Sequence, residues 1–523
     1  MGLGRTMSVS LEGMRGRLVD IEVDVSAGLP KTTLVGLPDA SLAEARDRCR
    51  AAIVNSRFPW PDRKVTINLS PAWLPKSGAH FDLGIALAVL ASEGHVPQDR
   101  IAGAAVLGEL GLDGRLRAVA GVLPATVAAV AAGCEVVIVP EPNAAEAAIV
   151  DGARIIGVRS LRQAAALLRG EDPPHEPPVE PLVPGVDPRP GRLEGLDMSD
   201  VAGQHEARGA VVVAAAGAHH LALTGPPGVG KTMLAQRLPA LLPDLDHQQS
   251  METSAVYSIA GALSPDAPQL RRPPFVDPHH TASAAALVGG GTRVVRPGAM
   301  SLAHHGVLFL DEAPEFRRDV LEALRQPLES GCVTVARAAQ TAEFPARFLL
   351  VLASNPCPCG SRSGTGSGCT CTAVVKRRYG ERLSAPILDR VDLQRSVGPV
   401  SARDTGVNAV PPIATSVLAE RVAQARERQR RRLAGTPWRT NAEVPGAYLR
   451  RSLPTPPRLV RTVDRLVRDG KVNARTADRL LRVAWTITDL REQREPDLDA
   501  LDLATVLRRD LALAANQLDG ISA

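Results

Sequence analysis

The sequence predicts a three-part α/β protein. A mixed α and β block spans residues 1–170, a parallel α/β core spans 192–410, and a helical domain spans 411–523. Three observations lead there. The 523 residues amount to about three domains at roughly 150 residues each. Residues 171–191 read EDPPHEPPVEPLVPGVDPRPG, a proline-dense stretch without apolar periodicity, which has the composition of an extended, semi-rigid linker. Strand-like apolar runs occur on both sides of that linker, then disappear beyond about residue 411, where only helical periodicity remains.

Before the linker, 18–25 alternates like a half-buried strand, 64–69 is a β-branched run, 81–90 reads as helix, and 135–139 is again strand-like. The most apolar window, 118–140, is alanine-rich and broken by Pro124 and Glu135. It therefore reads as packed helix followed by strand, not as a membrane span of about 20 residues. After the linker, 221–224, 307–310 and 348–353 are buried strands, the first running through a glycine-rich turn into a helix. Three C-terminal helices are expected, at 415–433, 473–490 and 499–514.

Composition excludes several classes. With 45% hydrophobic and 22% charged residues the chain has ample apolar surface to bury, so wholesale disorder is ruled out. The 61 basic residues exceed the 56 acidic ones, but lysine occurs only at 31, 64, 76, 231, 376 and 471. A net charge of +5 permits nucleic-acid binding without requiring it. The first 24 residues lack the apolar core of a secretory signal. Seven cysteines, four of them between 357 and 371, are too few and too clustered for a disulfide scaffold. A reducing cytoplasm and no membrane are expected.

The sharpest motif is Gly225-Pro226-Pro227-Gly228-Val229-Gly230-Lys231-Thr232, a phosphate-binding loop with a strand before it and a helix after it. Its glycines let main-chain N–H groups turn toward phosphates, Lys231 can reach the β and γ oxygens, and the Thr232 hydroxyl can ligate Mg²⁺. The strand 307–310 then delivers Asp311 and Glu312 at its carboxyl end, where ligands of open parallel sheets bind. Asp311 is expected to hold Mg²⁺ and Glu312 to polarise the attacking water. Asn355, ending the next apolar strand, can orient the same water as a polar sensor, although an asparagine there, taken alone, reads equally as a turn residue. No guanine-recognition motif is visible, so the expected nucleotide is ATP.

With these motifs in place, the chain resembles the magnesium-chelatase-like AAA+ ATPases of the YifB/ComM type over nearly its whole length. The resemblance rests on Gly28-Leu29-Pro30 with Val35-Gly36-Leu37-Pro38-Asp39, and on Asn68-Leu69-Ser70-Pro71. Further on it rests on Pro278-His279-His280-Thr281, Ser301-Leu302-Ala303-His304-His305-Gly306, Leu324-Arg325-Gln326-Pro327-Leu328-Glu329 and Asn355-Pro356-Cys357-Pro358-Cys359-Gly360. It implies a homohexameric ring. Arg390, in Leu388-Asp389-Arg390-Val391-Asp392, then matches the arginine finger that completes a neighbour's site, and Arg475 matches the second sensor on a helical lid. Insertions at 284–297 and 333–348 would face the channel, with Arg293, Arg296 and Arg337 as DNA contacts; packing against a neighbouring subunit is the competing reading. The N-terminal block resembles a Lon-protease-like domain. His80 stands where that protease has its serine and Ala125 where it has its lysine, so the domain is degenerate and no proteolysis is expected. Met300 and Trp485 depart from the family's usual residues.

Cys357, Cys359, Cys369 and Cys371 can close a tetrahedral zinc site, although C-x-C spacing strains chelation by both members of a pair, and reduced structural thiols compete with this reading. Cys49, Cys134 and Cys332 read as buried small apolar residues. The run at 426–432, RERQRRR, reads as a solvated helix face, with nucleic-acid contact as the alternative. The resemblance implies an ATP-hydrolysing ring motor on single-stranded or branched DNA, a branch-migration helicase serving recombination in natural transformation. The alternative is a chelatase-type remodeller of a protein partner without DNA activity.

Overall fold

The computed structural model describes residues 2–36, 44–76, 78–182, 193–291, 295–336, 341–359, 369–400, 413–513, 517–518 and 521. Two sheets organise it. The N-terminal sheet has seven strands in the order Lys31–Val35, Lys64–Ser70, Arg15–Ser26, Leu3–Glu12, Ala104–Val106, Val136–Pro140 and Arg154–Val158. Leu3–Glu12, Arg15–Ser26 and Lys64–Ser70 pair antiparallel, whereas the last three strands run parallel. Alternation sorts the side chains between two faces. Val19, Ile21 and Val23 meet helix Asp82–Ser92, while Val9, Ala105 and Val137 meet helix Val122–Ala131. Gly4 permits the close approach of the first strand, because a Cβ there would lie 1.9 Å from the Ala88 carbonyl oxygen. The window 118–140 is thus helix then strand. No described helix is long and apolar enough to cross a membrane.

The second sheet is wholly parallel, in the order Phe275–Val276, Val307–Leu310, Leu349–Ser354, Leu221–Thr224, Leu393–Ser396. Leu221, Leu223, Val307, Phe309, Val351 and Ala353 enter one core with helix His205–Gly217 and the C-terminal helices. Ala222, Leu308, Leu310, Leu350 and Leu352 enter another with Met300, Phe344 and Ile387. Both faces being covered explains why these strands read as unbroken apolar runs. The sequence did not single out the two edge strands, because Phe275–Val276 is only two residues long and Leu393–Ser396 reads LQRS, polar after its first residue.

Among the described residues the C-terminal helices are Thr415–Arg432, Gly446–Arg451, Pro457–Arg468, Ala474–Leu490 and Leu498–Arg509. Gly446–Arg451 and Pro457–Arg468 are additional to the three expected, and Pro457 occupies the first turn of its helix, where a missing N–H costs nothing. The helix expected to reach residue 514 stops at Arg509, where Asp510 turns left-handed and accepts the Ser396 N–H at 2.6 Å. The arginine run is not a solvated face. Arg426 donates to the Ala215 carbonyl at 2.6 and 3.0 Å, Gln429 is buried, and Arg432 forks onto Asp489 at 2.6 Å. Arg430 and Arg431 face solvent beside Glu427. The departures Met300 and Trp485 are core residues, and Trp485 donates its Nε1–H to Thr455 at 3.1 Å. Cys49 and Cys134 are buried, but Cys332 is only half-buried, its sulfur 3.4 Å from the Ser330 hydroxyl, because it starts an exposed hairpin strand.

Residues 171–182 of the linker form no helix or strand, yet they are strapped down: Arg159 donates to the Glu176 carbonyl at 2.7 Å and Arg115 to that of Pro178 at 2.9 Å. The rest of the linker, 183–191, lies outside the described residues. Helix His247–Ala260 joins the two sheets' surroundings. Its Ser258 accepts the Gly121 N–H on its carbonyl at 2.9 Å and the Leu123 N–H on its hydroxyl at 3.2 Å. Glu146, buried at this seam, accepts from Asn143 at 2.7 Å, and burial pushes its carboxyl from 4.5 up to about 7 against the hydrogen bonds from Asn143 and Ser258. The folded chain therefore binds this proton more tightly than the unfolded chain. That contribution is complete below about pH 4.5 and is lost as pH rises toward 7. Glu146→Gln is accordingly expected to raise stability by on the order of 1–3 kcal/mol at about pH 8 and to change it little at about pH 5, measured by urea melts.

Candidate nucleotide-binding site

The glycine loop leaves strand Leu221–Thr224 and enters helix Lys231–Arg237. Gly228 and Gly230 take φ of 77° and 100°, a region that any Cβ would strain. Gly225 meets a different constraint, since a Cβ there would lie 2.1 Å from the Val397 carbonyl oxygen. Lys231 is 7% exposed, and its ammonium donates to the carbonyls of Gly225 at 2.5 Å and Pro226 at 2.9 Å and to Asn355 Oδ1 at 3.1 Å. Burial holds this lysine below its ordinary range, with Asp311 and Glu312 opposing the shift. An ammonium held mainly by neutral oxygens is a receptor for an anion.

The Thr232 hydroxyl donates to Asp311 Oδ2 at 2.7 Å, which brings together two hard oxygen donors of the kind Mg²⁺ takes. Glu312 follows with φ of 50°, a strained backbone for a non-glycine residue, and its N–H donates to Asp311 Oδ1 at 2.9 Å. Between the two strands runs Leu349–Ser354, whose Ser354 lies 3.1 Å from the Thr224 hydroxyl and whose next residue is Asn355. Lys231, Thr232, Asp311, Glu312 and Asn355 therefore converge, as the motif spacing requires. Arg390 and Arg475 do not join them. Arg390 donates to the Pro386 carbonyl at 2.6 Å and pairs with Glu329, and Arg475 is exposed on the first turn of helix Ala474–Leu490. Arg296 is exposed at the end of a two-stranded ribbon, whereas Arg293 and Arg337 lie outside the described residues, as do Leu37, Pro38 and Asp39.

Two contributors were missed by motif reading. Gln204, at φ of 53°, donates to the carbonyls of Val229 at 3.2 Å and Gly398 at 2.5 Å, tying the phosphate loop to the edge strand's exit. His280 Nδ1 lies 3.5 Å from the Glu312 carboxylate. The Gly-Gln pair before helix His205–Gly217 was a usable signal for the first; nothing local marked the second. A further cluster, Glu252, His304 and His305, has the composition of a metal triad but not its chemistry. His304 Nδ1 accepts the Arg347 N–H at 3.1 Å, so its proton sits on Nε2, which faces Glu252 at 3.3 Å and has no lone pair for a cation. Burial lowers the His304 pKa to about 4, and the two histidines hold Glu252 well below the usual carboxylate range.

The four clustered cysteines meet at one point. Cys357 Sγ lies 3.2 Å from Cys359 and 3.5 Å from Cys369, and all four sulfurs are within 4.8 Å of one another. A tetrahedral zinc with Zn–S of about 2.3 Å separates its sulfurs by about 3.8 Å, so the set fits despite the C-x-C spacing. Burial, with the neighbouring thiols, pushes Cys357 up to about 11. In the N-terminal block, His80 Nε2 lies 3.0 Å from the Val9 carbonyl oxygen and Ala125 is buried, so neither position holds a serine or a lysine.

Comparison with known proteins decides the family. Residues 197–405 match the model of the magnesium chelatase subunit ChlI, 21–143 match a second ChlI model, and 413–508 match the ChlI C-terminal model. The chain is 39% identical over 496 residues to the competence protein ComM of Haemophilus influenzae, covering 95% of each chain. It is 38% identical over 490 residues to the uncharacterized protein YifB of Escherichia coli, covering 92% of this chain and 94% of that one. The chain belongs to the magnesium-chelatase-like AAA+ proteins of the YifB/ComM type. An uncharacterized protein of Mycobacterium tuberculosis is 48% identical over 509 residues, covering 97% of this chain and 99% of its own. Membership in this family implies ATPase activity. Lys231→Ala is expected to abolish ATP binding in a fluorescent-nucleotide titration. Glu312→Gln is expected to keep binding while slowing turnover by about 100-fold or more, the usual loss when a general base is removed.

Proposed function

We propose that this protein is an ATP-hydrolysing motor that assembles as a homohexameric ring in the cytoplasm and acts on single-stranded or branched DNA, as a branch-migration helicase in recombination during natural transformation. The observation that carries the ring is the position of Arg390. It matches the family's arginine finger, yet it contacts Pro386 and Glu329 rather than its own phosphate loop, so the charge it would stabilise belongs to a neighbour's site. Lys231 binds the β and γ phosphate oxygens, Asn355 and Glu312 orient and polarise the water, and Arg475 contacts the nucleotide from the lid. Mg²⁺ held by Thr232 and Asp311 would neutralise charge on the phosphates.

The DNA reading is supported by the name of the Haemophilus influenzae relative, a competence protein. Arg296 and, by motif, Arg293 and Arg337 would contact the phosphate backbone without reading sequence. The N-terminal block acts as a degenerate Lon-protease-like domain, serving assembly or DNA contact. Cys357, Cys359, Cys369 and Cys371 hold a structural Zn²⁺, supported by the convergence of their sulfurs. One zinc per chain is expected by elemental analysis, lost in Cys357→Ser and Cys369→Ser; zinc-free protein with unchanged stability would remove this assignment.

The motor reading is tested by measuring ATP turnover without DNA, with single-stranded DNA and with forked DNA, at about 50 and 200 mM salt. DNA stimulation that falls steeply with salt and disappears in Lys231→Ala and Arg390→Ala is the expected result. Unstimulated turnover with no DNA binding at low salt would favour a remodeller of a protein partner.

A further inference from the structure

The finger segment is anchored to the lid of its own subunit. Ile387 and Val391 are buried in the core beneath one face of the parallel sheet, and Arg390 lies between them, held by Glu329 and the Pro386 carbonyl. Two residues on, Asp392 is 4% exposed and takes Arg479 Nε on its Oδ1 at 3.0 Å. Its Oδ2 accepts the His220 N–H at 3.3 Å and faces His219 Nδ1 at 3.4 Å. The last helix adds a second tether, Arg508 donating to the Leu388 carbonyl at 3.4 Å. Arg479 belongs to helix Ala474–Leu490, one turn after Arg475. Residues four apart on a helix share a face, so a displacement of Arg475 is also a displacement of Arg479. The Asp392–Arg479 pair is largely withdrawn from water, where charges attract strongly and separation costs each its opposite charge, so the contact transmits motion instead of yielding to it.

We propose that Asp392 and Arg479 are positioning residues that link the nucleotide held in a subunit's own site to the arginine finger that the subunit lends to its neighbour. The inference rests on the ring reading of Arg390 and Arg475 and specifies how occupancy passes from one site to the next. When ATP draws Arg475 inward, helix Ala474–Leu490 moves with it, Arg479 carries Asp392, and the segment bearing Arg390 is set for the neighbour. A subunit without nucleotide leaves its finger on Glu329.

The test uses full-length rings doped with increasing fractions of Lys231→Ala subunits, whose sites are empty but whose fingers are intact. In the wild-type background, turnover should fall more steeply than the fraction of active sites, because each empty subunit also withholds its finger. With Arg479→Ala in every subunit, the dependence should become linear, the Hill coefficient for ATP should fall to about one, and the lost coupling should be about 5-fold or more. Arg479→Lys, which keeps the charge, should restore most of the steepness. Steep inhibition that survives in folded Arg479→Ala rings overturns the proposal.

A second measurement does not depend on that variant folding. In an Arg390→Ala background, where the finger cannot touch the neighbour's phosphate, ATPγS should slow hydrogen exchange over residues 388–392. The added exposed substitution Arg475→Ala should remove that effect while ATPγS still binds. Exchange that is insensitive to ATPγS, or sensitive without Arg475, also overturns the proposal. The ring reading fails separately, if Arg390→Ala alone leaves turnover unchanged.

Discussion

Everything at the nucleotide site depends on one feature of strand order. Leu349–Ser354 runs between the strand that opens the glycine loop and the strand that ends at Asp311. All three are parallel, so their carboxyl ends lie on one edge of the sheet, and the main-chain ladder sets the spacing of whatever follows them. Asn355 can reach the Lys231 ammonium, and Asp311 the Thr232 hydroxyl, because the ladder brings Thr224 opposite Ser354 and Leu310 opposite Leu352. An antiparallel neighbour in the middle would reverse one of these ends and dismantle the site.

Around this edge the chain uses buried and half-buried polar contacts where a purely apolar core would leave relative positions loose. Gln204 bridges the loop and the edge strand, Glu252 joins helix His247–Ala260 to the two histidines that precede Val307, and Asp392 joins the segment bearing Arg390 to helix Ala474–Leu490. The same helix meets the N-terminal sheet through Ser258 and Glu146. Each such group is expensive to bury unless its partners are in place, so each favours one arrangement of its neighbours. The arginine-rich composition serves this end in the C-terminal region, where Arg426 and Arg432 fasten helices together through carbonyl and carboxylate oxygens.

Much of this was legible. The phosphate loop, the Asp311-Glu312 pair and the buried strands were found because each is written in consecutive residues whose period or spacing is set by local geometry. Proline content marked residues 171–182 as free of helix and strand, but not their docking, which is made by Arg115 and Arg159 from upstream. The run at 426–432 was misread because charge along a helix says nothing about what the helix packs against; Trp485 and Asp489 lie more than fifty residues away. Cys332 was expected inside on residue type alone, and the hairpin strand leaves it half-exposed.

The sequence by itself determined the nucleotide loop, the carboxylates that face it, the parallel core and the family resemblance, since these depend on neighbours in the chain. Only the tertiary structure decided that His280 faces Glu312, that Gln204 closes the loop, that His304 carries its proton on Nε2, that four cysteines share one point, and that Asp392 holds Arg479. Those contacts join residues separated by anything from two positions to more than eighty. A distance across space is fixed by how sheets and helices stack, and no local pattern of residues encodes it.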